Sequence, residues 1–342
     1  MTQHFLIKQP ITTSKPQISN WQNELQNAIC DIHQLCQLLD IETPTNYQPN
    51  FPLKVPLAFV QKMQKGNPDD PLLLQVLPSI QETLPTIGYT NDPLHEHSHN
   101  PIKGLLHKYQ SRVLITLTGV CAINCRYCFR QHFDYGANLP TNTEIEEIYQ
   151  YIQHDNKIKE VIFSGGDPLN LSNRRLKIWF EMLSRLPQIQ TIRLHTRLPV
   201  VLASRIDDEL LDLFKSYQKN IVMVLHINHP QEIDKNLKKQ CQLLKDAGVT
   251  LLNQSVLLKN INDDVQTLIQ LSYDLFNNGI VPYYLHILDK VNGAAHFDIP
   301  IKKAINIYWE LLENLSGYLV PKLVQELPDK PYKTPINIYQ FL

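Results

Sequence analysis

The chain has 342 residues, room for about two domains or one large α/β barrel. Its 32 Lys+Arg balance 33 Asp+Glu for a net charge of −1, which excludes a nucleic-acid scaffold held by bulk charge and a polybasic membrane-surface protein. At 43% hydrophobic it buries a core and is not a disordered chain; no apolar run marks a transmembrane helix, and the opening MTQHFLIKQPITTSKPQ lacks the apolar stretch of a signal peptide.

In chain order, Trp21 to Leu39 reads as one helix, with Leu25, Ile29, Ile32 and Leu35 at helical spacing. Cys30 and Cys36 fall in it six residues apart and share no face, so both read as core packing. A connection with Pro44, Pro49, Pro52 and Pro56 follows, then short helices and loops over 57–110. His95-Glu-His97-Ser-His99 lies in a Pro/Asn-rich loop, an ordinary loop or a metal cluster. From Arg112 the pattern is regular. Strands are predicted at 113–118, 160–164, 191–196, 221–227, 249–258 and 281–287. Helices follow them at 143–155, 172–186, 207–217, 231–246, 263–278 and 300–314. Six β-α units predict a parallel sheet with right-handed crossovers, either open and doubly wound or a partial barrel. Both place ligands at the C-terminal ends of the strands.

Three of the six cysteines cluster as Cys121-Ala-Ile-Asn-Cys125-Arg-Tyr-Cys128, directly after the first of these strands. A local cluster, unlike a spread disulfide framework, points to a reducing cytoplasm and to ligand binding. Thiolates select zinc or iron–sulfur clusters. Structural zinc takes four ligands, and only His132 lies near as a fourth. Three thiolates on a four-iron cubane leave one iron open to an exogenous ligand, whereas electron carriers use four cysteines. Buried structural thiols are the third reading.

Ser164-Gly165-Gly166-Asp167-Pro168-Leu169 follows strand 160–164. Two glycines allow close backbone approach to a ligand and Asp167 can accept from an ammonium group, though the motif also suits an ordinary turn. His195, Arg197 and His226 lie at strand ends and face the predicted site; Asn253 and Gln254 end another strand. Cys241 reads as helix packing, and Lys333, in PDKPYKTP, reads on its own as a solvated lysine.

Taken together, CAINCRYCFR, IFSGGDPL, LLNQSVLL, YYLHILDKVNGAAHF, SGYLVP, KTP and KGNPDDPLL (65–73) resemble the radical S-adenosylmethionine (SAM) enzymes, and within them the lysine 2,3-aminomutases. The likeness covers roughly 55–342, and more weakly the N-terminal helix. It implies a radical SAM partial (β/α)6 TIM-type barrel. Residues 1–110 would be a mostly helical accessory region, 111–315 the barrel, and 316–342 an extension carrying pyridoxal phosphate.

The resemblance also implies roles. Cys121, Cys125 and Cys128 would hold a [4Fe–4S] cluster; Gly165, Gly166 and Asp167 would hold S-adenosylmethionine. Lys333 would carry pyridoxal 5′-phosphate, with Arg112 on its phosphate. Arg130 would clamp the α-carboxylate of L-lysine, and Asp289 and Glu326 its distal ammonium. Relatives acting on glutamate lack that acidic pair; free-lysine enzymes carry Asp where Glu326 stands, and a second arginine is common where Gln131 stands. The implied reaction takes a hydrogen from the β-carbon, moves the α-nitrogen and returns the hydrogen, giving β-lysine. An external electron donor is needed. The CFR and HILDKV variants, and a C-terminus without the zinc-binding tail of clostridial enzymes, are similar to the branch serving β-lysylation of elongation factor P with its lysyl-ligase. Free-lysine metabolism and another amino acid are the alternatives.

Overall fold

The computed structural model describes residues 20–44, 49–328 and 330–340. Nine strands form one sheet in sequence order: β1 (Leu105–Tyr109), β2 (Arg112–Thr118), β3 (Glu160–Gly165), β4 (Thr191–Thr196), β5 (Asn220–His226), β6 (Val249–Val256), β7 (Ile280–His286), β8 (Lys322–Gln325) and β9 (Thr334–Pro335). Strands β2 to β8 run parallel, and β1 and β9 pair antiparallel on the two edges. Among the described residues β1 and β9 do not pair, so the sheet curves as a partial barrel without closing. All six expected strands and their helices are present.

The helices follow from local chemistry. Asp207, Asp234 and Asp264 each accept from the backbone N–H three residues on and start the helices Asp208–Ser216, Lys235–Asp246 and Val265–Asn277. Gly248, at φ +82°, takes the left-handed turn after the second of these. The strands are apolar on both faces because helices cover the outside: in β3 every residue after Glu160 is buried.

Four features differ from the sequence reading. The helix expected over Trp21–Leu39 is two, Asn20–Gln26 and Ile32–Leu38. Ile29 breaks it by pairing its N–H and C=O with Val55 at 2.8 and 2.9 Å, and Asp31 caps the second helix through the Gln34 N–H. That break leaves Cys36 buried but Cys30 exposed, so only Cys36 packs in the core. The N-terminal region is not mostly helical: among the described residues between 20 and 110, only those two helices, Leu57–Val60 and two short 3-10 turns occur, and the rest is loop with strand β1. Finally, β8 adds a seventh parallel strand; four residues of mixed polarity, KLVQ, gave no readable period.

One continuous core runs from Trp21 to Leu323, so the N-terminal residues pack on the barrel rather than around a core of their own. At its centre Phe163, fully buried in β3, meets Trp179 and Phe180 edge-on at 6.1 and 5.9 Å. Phe163→Ala is expected to cost about 3–5 kcal/mol by urea unfolding. Ile178→Ala, at an exposed position on the helix Asn173–Ser184 that carries Trp179 and Phe180, is expected to change stability by less than about 0.5 kcal/mol.

Candidate active site

The cysteine loop leaves β2 and is pinned from outside. Lys54 donates to the Cys121 carbonyl at 2.9 Å, and the N–H groups of Asn124 and Arg126 donate to the Lys54 and Gln75 carbonyls. Arg126, fully buried, forks onto Glu82 and reaches the Phe51 carbonyl at 2.8 Å. Tyr127 anchors in a separate apolar cluster with Leu258, Leu288, Val291 and Phe297. Gln131 and His132 both meet the Asn292 carbonyl, at 2.6 and 3.1 Å, so Gln131 serves as a tie for this loop.

The three thiols act electrostatically on one another. Burial pushes the Cys128 thiol up to about 12, and Cys125 adds to the rise; Cys121 is raised by burial and by Cys128. Thiols so disposed stay protonated alone and ionise onto a cationic group. Three thiols on one loop are the soft donor set that an iron–sulfur cluster takes.

The Gly165–Asp167 turn packs on the entry to this loop. A Cβ on Gly165 (φ +119°) would lie 2.4 Å from the Thr118 carbonyl, and one on Gly166 2.5 Å from that of Val120. The glycines therefore admit the chain's own backbone. Asp167 is buried, with Oδ1 accepting from Thr196 Oγ1 (2.6 Å) and the Leu169 N–H (3.0 Å), and Oδ2 from the N–H groups of Arg197 (2.7 Å) and Leu198 (2.9 Å).

Arg130, four residues before Asp134, is buried beside this turn. Its Nε and Nη2 fork onto Glu96 at 2.8 and 2.5 Å, and Nη1 reaches Ser164 Oγ and the Gly165 carbonyl. Glu96 comes from the His-rich loop, so that segment contributes its carboxylate to the site. Across the barrel mouth, Lys333 donates to Glu326 Oε2 at 2.5 Å, and Tyr109 donates to Oε1 at 2.7 Å. Burial alone would raise Glu326, but Lys333, Tyr109 and Lys108 pull it down to about 2. Burial pushes Asp289 up to about 7 against the pull of Lys333. Acid, base and fork thus share one field.

Three strand-end histidines complete the wall. His195, His226 and His286 are all lowered by burial, His226 to about 3, with Lys333 adding to each shift. They are neutral at physiological pH. The Nε2 atoms of His195 and His286 are buried without a hydrogen-bond partner, whereas His226 meets Gln254. His286 was missed in the sequence, although its place as the last residue of β7 matches that of His226 in β5.

Arg112 opens β2, at the far end from the cysteines. Its guanidinium stacks 3.9 Å over the Tyr109 ring, and the charges of Arg112 and Arg193 both act on Tyr284, whose phenol burial holds up. Lys333 Nζ lies 5.8 Å from that same ring. Arg193 Nε is buried without an acceptor. An amine, two guanidiniums and an aromatic face therefore surround Tyr284, a set that suits a phosphate-bearing aldehyde.

Asn253 stays off the site. Its amide accepts from the Ile227 N–H at 2.9 Å and donates to the Ile227 carbonyl at 3.0 Å, stapling β6 to the end of β5. Asn253→Ala leaves the buried Ile227 N–H unpartnered, while Ser255 Oγ still donates to the Ile227 carbonyl at 2.7 Å, and is expected to cost about 1–3 kcal/mol by urea unfolding.

The radical SAM superfamily model matches residues 115–271. An Escherichia coli (strain K12) protein named L-lysine 2,3-aminomutase is 43% identical over 334 residues, covering 96% of this chain and 97% of that protein. One of the same name from Haemophilus influenzae is 47% identical over 320 residues, 92% of this chain and 95% of that protein. One from Clostridium subterminale is 32% identical over 324 residues, 93% of this chain but 78% of that protein. The matched span includes the cysteine loop, and the chain belongs to the lysine 2,3-aminomutases, isomerases of the radical SAM superfamily.

Proposed function

We propose that the protein converts L-lysine to β-lysine. The observation that carries this is the pairing of Arg130 at one end of the site with Glu326 and Asp289 at the other, because a carboxylate clamp opposite two acids selects an amino acid with a distal ammonium.

Both ends hold internal counterparts. The Glu96 carboxylate fills the Arg130 fork, standing where the substrate carboxylate binds. The Lys333 ammonium fills Glu326, standing where the distal ammonium binds. With its nitrogen bonded to pyridoxal phosphate, Lys333 would no longer be a free ammonium against Glu326, which would be free for the substrate. Arg112 and Arg193 hold the phosphate end. Cys121, Cys125 and Cys128 hold the cluster. Gly165 and Gly166 form the edge for adenosylmethionine, with Asp167 fixing the turn. When bound, cluster and adenosylmethionine supply hydrogen-atom abstraction and pyridoxal phosphate a carbonyl that holds the migrating nitrogen. The neutral histidines wall the site without adding charge, and the protein's part is positioning and exclusion of water.

We place the chain in the branch that supplies β-lysine for elongation factor P. The CFR and HILDKV variants and Glu326 in place of Asp support this. Free-lysine metabolism is the second reading.

The test is anaerobic reconstitution, then incubation with L-lysine, adenosylmethionine, pyridoxal phosphate and dithionite, with chromatographic separation of α- and β-lysine. β-Lysine is expected, and its loss in Cys125→Ala and Lys333→Ala. Cleavage of adenosylmethionine with lysine untouched sinks the reading. Arg130→Gln is expected to raise KM for lysine roughly 10²-fold. Only ionised Asp289 attracts the ammonium, so KM is expected to climb as pH falls through about 7. Asp289→Asn removes that limb of the profile.

A further inference from the structure

Beneath the cysteine loop lies a buried ionic network that the proposed steps do not use. Arg197, at the end of β4, is buried, and its Nη1 donates to Cys125 Sγ at 2.8 Å and to the Tyr127 hydroxyl at 2.6 Å. Its Nη2 donates to Gln75 Oε1 at 2.6 Å and to Glu232 Oε2 at 3.0 Å. Glu232 is fully buried, and its other oxygen accepts from the N–H groups of Asn228 and His229 at 2.9 and 3.1 Å. Asn228 in turn donates to the Tyr127 hydroxyl and to Gln75. Arg197 is itself placed by Asp167, which accepts from its backbone N–H. The result is a fixed row: thiol, guanidinium, carboxylate.

A buried ion pair is weak evidence for stability, because desolvating both charges offsets their attraction. Its orientation is informative instead. The cation touches the sulfur, and the anion stands one guanidinium farther away. Reduction transfers one electron from an external one-electron donor to the cluster, whose charge falls by one while the donor's rises by one. In a medium of low dielectric, a cation in contact with a ligand sulfur stabilises that added charge, and a carboxylate behind it opposes. Hydrogen bonds to the sulfurs and local net charge are the protein's means of setting such potentials. We propose that Arg197 is the positioning residue that raises the reduction potential of the cluster through Cys125, with Glu232 as its counterweight. This rests on the reading of Cys121, Cys125 and Cys128 as cluster ligands.

The experiment is an EPR-monitored redox titration of the reconstituted holoenzyme, with iron content and thermal unfolding measured on the same samples. Arg197→Gln is expected to shift the midpoint to a more negative value. Glu232→Gln is expected to shift it the opposite way, and Arg197→Lys, which keeps the charge, to stay nearest the wild type. Opposite signs separate tuning from mere loosening of the fold, which moves both variants alike. An unchanged midpoint in Arg197→Gln with about four irons retained overturns the proposal, as do shifts of the same sign in both glutamine variants. Should Arg197→Gln not fold, Glu232→Gln decides it: a midpoint that does not move to a more positive value with about four irons retained overturns the proposal. A wild-type protein that takes up no cluster overturns the reading of the cysteines first.

Discussion

Four hydrogen bonds to one buried carboxylate hold the working end of this barrel together. Asp167 draws donors from its own turn, from the last residue of β4 and from two backbone amides beyond it, while its own N–H donates to the Val120 carbonyl just before Cys121. Parallel strands end in loops that have no intrinsic reason to meet. Here a single side chain fastens the loop after β2, the turn after β3 and the loop after β4 to one point. The two glycines before it are the steric condition, since any Cβ there would meet the carbonyls of Thr118 and Val120. The cysteine loop, the Arg130 fork and Arg197 all take their positions from that knot.

Charge in the site is arranged by the same economy of contacts. The cations around the site have carboxylate partners: Glu96 for Arg130 and, toward the far end of the strands, Glu160 for Arg193 come from distant sequence, and Glu326 for Lys333 from the same hairpin. Buried charges persist only when paired and hydrogen-bonded, so a protein that must bind a zwitterion with an extra ammonium has to compensate those groups while it waits. The histidines take the other solution and stay neutral, two of them with an unpartnered ring nitrogen.

Much of the fold was legible because its strands are apolar runs between capped helices, a pattern one sequence displays without help. The exceptions are physical. Strand β8 is four residues long, and β1 and β9 are edge pairings that need partners before they exist as strands. The helix over Trp21–Leu39 is broken by Ile29 pairing with Val55, a long-range contact invisible to local periodicity. In the site, the cysteine spacing and the glycine turn stand out because they are local. Lys333 looked like a tail lysine, since only the fold brings it to Glu326 and Tyr284. Glu96 and Arg193 carried no sequence signal at all, and Asn253, expected at a strand end, lies inside β6 as a backbone staple.

Glu326 and Lys333 sit on one hairpin, between β8 and β9, and that hairpin is secured by two register pairs, Val324 with Pro335 and Gln325 with Thr334. The acid proposed for the distal ammonium and the nitrogen proposed to carry the cofactor therefore share one hairpin. Any local opening of that pairing would withdraw both side chains at once, so under the proposed function hold on the amino acid and hold on the cofactor would be set by the same few backbone contacts.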